Sequence, residues 1–364
     1  MIRVLVVDDS TFMRHSLTDL LQQDPEIKVV DTARDGLEAL QKAEALDVDV
    51  ITLDVEMPKL DGLQTLKKLM ATNPLPVIMI SSLTEDGAES TLKAMEYGAQ
   101  DFMPKTMSND KDAFGSELRR KVKAIARRKS IIRLKYHRHS QPASNAAPAH
   151  GPGKKPLGRP ARAPRASTHG LGGGPRDLVV IGVSTGGPPV VQKILSALPA
   201  DLPACILIAQ HMPATFTGPF AKRLDSVSKL TVTEAVGGEK LKNGCAYVCP
   251  GGKHIGLRMN GPLPEVMITE HPRDALYKPT VNVLMETAGN VMGRRTLGVM
   301  LTGMGNDGVD GAKVLREKGG LLIAQSEASC VVYGMPKAVV DANLQNIILD
   351  ADDIAQAIVT TVKG

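Results

Sequence analysis

Three side chains that together could carry out acyl transfer each follow an apolar run in the second half of the chain. Ser184 lies in Gly182-Val183-Ser184-Thr185-Gly186 directly after LVVIGV; His211 follows CILIAQ; Asp307 lies in GMGNDG after LGVMLT. Glycines around a serine at that place let the chain turn sharply from strand to helix and expose the hydroxyl beside backbone N–H groups. A serine nucleophile needs a base, and the base needs an acid to orient it. Each of the three ends its own predicted strand, so they can meet on one sheet edge although they are 27 and 96 residues apart. Glycine-rich turns of this kind also cradle phosphates, but the lysine of the usual nucleotide loop is missing. His254, in an expected hairpin turn, and His271, in a loop, compete only as substrate-binding residues.

A second set of reactive residues occupies the first half. Asp8 and Asp9 follow the first apolar run, and Asp54 ends VDVITLD. In a parallel sheet these positions fall at the carboxyl edge, where open α/β folds bind ligands. Three carboxylates there repel one another unless a hard cation joins them, and Mg²⁺ suits because it shares its coordination sphere with phosphate and water. Ser81, at another strand end, could hydrogen-bond a phosphate oxygen, and Lys105 could neutralise its charge. Taken singly, Asp9 or Asp61 reads as a helix cap; five coincident strand-end residues do not.

The elements that must position these groups alternate. Strands are expected at Arg3–Val7, Ile27–Thr32, Val48–Leu53, Val77–Ser81 and Asp101–Met103, with a helix from Thr11 to Gln23 and another whose apolar stripe is Leu37, Leu40 and Ala43. The pattern resumes at Leu178–Val183, Cys205–Ala209, Leu297–Thr302 and Leu321–Ala324. Between residues 237 and 270, short strands with Gly/Pro turns suggest inserted hairpins. Alternation of this kind gives parallel sheets covered on both faces.

Between the halves the composition changes. Residues 127–176 hold 12 Lys/Arg and no Asp/Glu, and seven prolines fall between Pro142 and Pro175. Subtracting 12 from the chain's +5 leaves −7 for the remainder, so the basic charge belongs to this segment. With almost no large apolar residues after Tyr136 it should be a flexible tether. A basic arm for nucleic acid is the other reading, disfavoured because aromatics are not interleaved. The histidines at 137, 139, 150 and 169 fall here and are poor catalytic candidates.

At 364 residues the chain is too long for one ordinary core. No apolar stretch approaches the ~18 residues that span a bilayer, and the N-terminus meets two aspartates too soon to be a signal peptide. The expected compartment is the cytoplasm, with no membrane insertion. Cys245 and Cys249 have no second Cys/His pair at zinc-like spacing, so the thiols are expected to be buried or idle.

LVVDDS, LDVEMPKLDG, PVIMISS and DFMPK resemble a response-regulator receiver domain over residues 1–125. GVSTGG, IAQHMP and LTGMGNDG resemble the catalytic domain of the chemotaxis methylesterase (CheB) family over about residues 177–360. The chain order Ser, His, Asp differs from the Ser, Asp, His of α/β-hydrolases. The resemblance implies a flavodoxin-like doubly wound receiver (1–125) and a mostly parallel α/β hydrolase sheet with an inserted hairpin (177–364); the basic linker between them (126–176) is longer than a compact hinge requires and departs from the family.

It further implies that Asp54 accepts a phosphoryl group from a histidine kinase, that Asp8, Asp9 and Asp54 hold Mg²⁺, that Ser81 and Lys105 sense the phosphate, and that Phe102 is a switching aromatic. Glutamate γ-methyl esters on chemoreceptor cytoplasmic helices are the implied substrate, with glutamine deamidation as a second activity and no cofactor for the hydrolase. Thr185 and Met304 are the candidate backbone donors to an oxyanion. The receiver is expected to cover the Ser184 edge until phosphorylated. A DNA-binding output lacks a helix-turn-helix pattern; a non-catalytic scaffold or a small-molecule esterase are the remaining alternatives.

Overall fold

The computed structural model describes residues 1–105, 111–130, 132 and 174–364. Most of the expected tether, including its four histidines, lies outside the described residues.

The first sheet contains β1 (Ile2–Val7), β2 (Ile27–Ala33), β3 (Val50–Asp54), β4 (Val77–Ser81) and β5 (Asp101–Pro104), all parallel in the order β2-β1-β3-β4-β5. Both faces are covered, which is why β3 and β4 are buried along their whole length and read as continuous apolar runs. The helices are α1 (Thr11–Gln22), α2 (Gly36–Ala45), α3 (Gly62–Thr72), α4 (Glu85–Glu96) and α5 (Lys111–Ala126). Ser10, Asp35, Asp61 and Thr84 start the first four by accepting a backbone N–H. On α2 the buried face is Gly36, Ala39 and Ala43; Leu37 is exposed. The expected stripe was displaced because small residues there let α2 approach α3: a Cβ on Gly36 would meet Thr65 Oγ1 at 1.9 Å.

The second sheet is built from β6 (Leu178–Val183), β7 (Cys205–Gln210), β8 (Thr231–Glu234), β9 (Cys245–Val248), β12 (Thr296–Met300), β13 (Leu321–Gln325) and β14 (Ile347–Leu349), in the order β14-β13-β12-β6-β7-β9-β8, again all parallel. A separate antiparallel hairpin joins β10 (His254–Asn260) to β11 (Leu263–Thr269). Only this part of 237–270 is a hairpin. β9 is a parallel member of the large sheet, paired with β7 and β8, and its Ala246-Tyr247-Val248 is buried as an interior strand requires. The helices here are α6 (Gly187–Ala197), α7 (Ala214–Val227), α8 (Val281–Met292), α9 (Val309–Glu317), α10 (Met335–Asp341) and α11 (Ala351–Lys363).

One apolar cluster runs through both halves. Helix α4 packs on α7, with Arg223 Nε 2.5 Å from Glu96 Oε1. Phe102 at the end of the first sheet stacks on Phe216 of α7, ring centres 4.6 Å apart. Residues 127–130, expected to be tether, are described as an extension beyond α5. There Arg128 Nε donates to Val331 O at 3.0 Å, and Lys129 pairs with Asp47 and Asp49 at 2.8 Å.

Candidate active site

In the second sheet the strand order reverses at β6, whose neighbours are β12 and β7. Ser184 follows β6, His211 follows β7, and Asp307 lies in the loop after β12, so the three meet at the topological switch point. His211 Nδ1 is 3.1 Å from Ser184 Oγ, and His211 Nε2 is 2.8 Å from Asp307 Oδ2. The carboxylate at Nε2 fixes the neutral tautomer as Nε2–H, which leaves the Nδ1 lone pair facing the serine hydroxyl.

The backbone around Ser184 is tightly held. Its N–H donates to Thr302 O at 3.0 Å. Gly186 has φ +74°, a conformation open to glycine, and a Cβ there would meet Val331 at 2.3 Å. The buried Gln210 amide donates to both Ser184 O (3.0 Å) and His211 O (3.1 Å), tying the two backbone segments together. The N–H groups of Thr185 and Met304 have no acceptor among the described residues.

Asp307 lies at the N-terminus of α8. It accepts the Val281 N–H at 2.7 Å and the Thr280 hydroxyl, besides the His211 ring. Burial alone would raise its pKa, but these hydrogen bonds and the histidine outweigh it and hold the carboxyl below its ordinary value. Tyr277 lies flat on His211, with ring centres 4.2 Å apart and planes within 10°. Sequence reasoning missed Tyr277, Thr280 and Gln210. Only Gln210, as the last residue of a strand ending beside His211, left any trace in the pattern.

The two competing histidines separate. His254 is not in a turn: it opens β10, fully buried, accepting the Thr280 N–H at Nδ1 (3.0 Å) and bonding Pro272 O through Nε2 (3.1 Å). His271 is exposed in the loop after β11.

A cleft of about 1000 Å³ opens over Ser184 and His211, and its far wall is the first domain: Phe102, Pro104, Phe114, Glu117 and Arg120. At the carboxyl edge of the first sheet, Asp8 and Asp54 are buried and Asp9 is exposed. One oxygen of each lies within 4.8 Å of the others. Lys105 Nζ is 2.7 Å from Asp54 Oδ2 and 3.0 Å from Asp8 Oδ2. Three carboxylates gathered this closely, two of them buried, form an all-oxygen donor set that fits a hard divalent cation. Burial pushes the Asp54 carboxyl up to about 6, with the Lys105 hydrogen bond opposing and the Asp8 charge adding to the rise. Ser81 faces away, its hydroxyl donating to Gly87 O at 3.1 Å.

Comparison with known proteins gives this geometry a family. Residues 179–358 match the CheB methylesterase family and residues 4–112 the response regulator receiver domain. A Lawsonia intracellularis protein named protein-glutamate methylesterase/protein-glutamine glutaminase is 53% identical over 367 residues, covering 100% of this chain and 99% of the relative. The chain belongs to the CheB methylesterase family. A second CheB-type relative, from Nitratidesulfovibrio vulgaris and of the same name with the number 2, is 56% identical over 361 residues, 98% of each chain. The solved catalytic domain of Thermotoga maritima CheB is 38% identical, with TM-score 0.50, and covers 51% of this chain and 98% of its own.

Proposed function

We propose that this protein hydrolyses glutamate γ-methyl esters on the cytoplasmic helices of chemoreceptors under control of its receiver domain, and deamidates receptor glutamines by the same route. The observation that carries the reading is the hydrogen-bonded series Ser184–His211–Asp307 at the switch point, walled by the receiver. Ser184 Oγ attacks the ester carbonyl as His211 Nδ1 takes its proton, while Asp307 holds Nε2–H and stabilises the imidazolium. The Thr185 and Met304 N–H groups, without protein acceptors among the described residues, are available to the oxyanion. His211 returns the proton to methanol, then activates water against the glutamyl ester of Ser184. A carboxamide presents the same carbonyl with ammonia as the leaving group.

Control resides in the other pocket. Asp54 is the phosphoacceptor for a histidine kinase; Asp8, Asp9 and Asp54 would hold Mg²⁺, which supplies charge neutralisation for the phosphoryl group. Lys105 and Ser81 engage the phosphate, Ser81 by giving up Gly87 O. A receptor helix is about 10–12 Å across and would need the space that α5 occupies. Phosphorylation therefore shifts the population toward an undocked receiver, with Phe102 leaving Phe216. The division into residues 1–125, 126–176 and 177–364 and the cytoplasmic location belong to the same reading. No helix among the described residues is long and apolar enough to cross a membrane.

The test is methanol release from methylated receptor membranes by wild type and Ser184→Ala, with and without a small phosphodonor. Release should need Ser184 and rise with phosphodonor. No release from wild type under either condition would return the substrate assignment to the small-molecule esters.

A further inference from the structure

The His211 ring is held at two points, Nδ1 against Ser184 and Nε2 against Asp307. Both contacts lie in the ring plane, so they resist sliding of the imidazole better than rocking out of plane. Rocking would swing the Nδ1 lone pair off the serine hydroxyl, and proton transfer is sensitive to that alignment. The Tyr277 ring covers one face of the imidazole at 4.2 Å and 10°, where it blocks that motion.

The loop that carries Tyr277 is pinned from beneath. Because His254 Nδ1 accepts the Thr280 N–H, its proton is on Nε2 and is donated to Pro272 O, so one buried ring ties both ends of 272–280. Burial lowers the His254 pKa and favours this neutral form, the Pro272 carbonyl acting in the other direction. Gly252 N–H holds the next carbonyl after Tyr277, Lys278 O, at 3.0 Å. Thr280, at the end of the same loop, holds Asp307 through its hydroxyl. One loop thus sets both the orienting carboxylate and the stacked ring.

We propose that Tyr277 is a positioning residue for the esterase reaction, its ring keeping the His211 imidazole in the plane shared by Ser184 Oγ and Asp307. This rests on the reading of those three residues as the catalytic set. The other side of Tyr277 faces the receiver, where the Arg120 guanidinium carbon of α5 lies 6.0 Å from the ring centre. Undocking uncovers Tyr277 while leaving it on His211, so the ring stays as a wall of the site that the receptor helix meets.

The experiment uses the full chain with phosphodonor and methylated receptor membranes, comparing Tyr277→Ala, Tyr277→Leu and Tyr277→Phe with wild type and Ser184→Ala. Tyr277→Ala and Tyr277→Leu should each lower kcat about tenfold with KM changed less than about twofold, the scale expected for lost alignment. Tyr277→Phe, which keeps the flat ring, should recover most of the lost kcat. Thermal midpoints are measured alongside; if the alanine variant does not fold, the leucine and phenylalanine variants decide. Release that needs Ser184 but keeps wild-type kcat in Tyr277→Leu overturns the assignment alone, as does a loss confined to KM. Release that persists in Ser184→Ala overturns the catalytic reading and this assignment with it.

Discussion

Asp54 and Asp307 are both buried carboxylates at the carboxyl edge of a parallel sheet, and their surroundings treat them in opposite ways. Asp307 receives a backbone N–H at 2.7 Å, a threonine hydroxyl and the His211 ring at the start of a helix, and its pKa falls below the ordinary value although burial would raise it. Asp54 has Lys105 and only a distant N–H, from Glu56 at 3.4 Å, and burial pushes it up to about 6. On the proposed roles, the carboxylate that must stay ionised and still through every turnover is saturated with donors, and the one that must accept a new bond is left with open lone pairs. In the proposed reading, comparable burial serves a preorganised catalyst in one domain and a switch in the other.

The sharpest way to break this comparison is to remove the nucleophile. Ser184→Ala should lower methanol release by on the order of 10⁵-fold or more while phosphoryl uptake by Asp54, followed with a labelled phosphodonor, stays at the wild-type level. Asp307→Asn should cost on the order of 10³–10⁴-fold in kcat. An amide hydrogen directed at Nε2 favours the Nδ1–H tautomer, which presents Ser184 with a proton instead of a lone pair. An Asn variant retaining a tenth of wild-type kcat would mean that the orienting role lies elsewhere.

Phe102→Ala acts on the boundary between the two sites. A stacked aromatic pair contributes about 0.5–1.5 kcal/mol, so its loss should raise activity without phosphodonor by roughly two- to tenfold and shrink the phosphodonor response accordingly. Unchanged basal activity would show that the Phe102–Phe216 stack does not hold the receiver down.

The smallest effect concerns a carboxylate of the receiver that is already paired. Burial would raise Asp49, but Arg3 and Lys129 hydrogen bonds prevail and lower it to about 2. Its contribution to stability is complete above the unfolded value near 4 and is lost as pH falls through about 2. Allowing for solvent screening, Asp49→Asn should cost on the order of 1 kcal/mol at pH 7. That difference should fade as pH falls through about 2 in denaturant titrations.

Strand-end chemistry was legible in the sequence because buried parallel strands are apolar runs with abrupt ends, so the residue after each run marks a sheet edge. Ser184, His211, Asp8 and Asp54 were singled out that way, and the structure places each at such an edge. Tyr277 and Thr280 follow no run, and the irregular loop carrying them has no periodicity to show which side chain faces inward. His254 was placed in a turn because glycines precede it, yet it opens β10 with both ring nitrogens engaged. The parallel pairing of β9 was hidden for another reason: a four-residue strand between turns looks alike whether its partner is adjacent in sequence or remote. Arg128 was assigned to the tether by composition, which does not register a single guanidinium reaching a carbonyl 203 residues away.

The stack of Phe102 on Phe216 belongs to both domains at once, and this makes the traffic between them two-way. If phosphoryl transfer to Asp54 favours separation, whatever occupies the Ser184 cleft and requires separation must favour the phosphorylated form by the same free energy. A methylated receptor is then an effector of the receiver as well as a substrate of the esterase: at saturating receptor, the equilibrium between phosphodonor and Asp54 should move toward the acyl phosphate. Adaptation would draw its catalyst into the active form in proportion to the work waiting to be done.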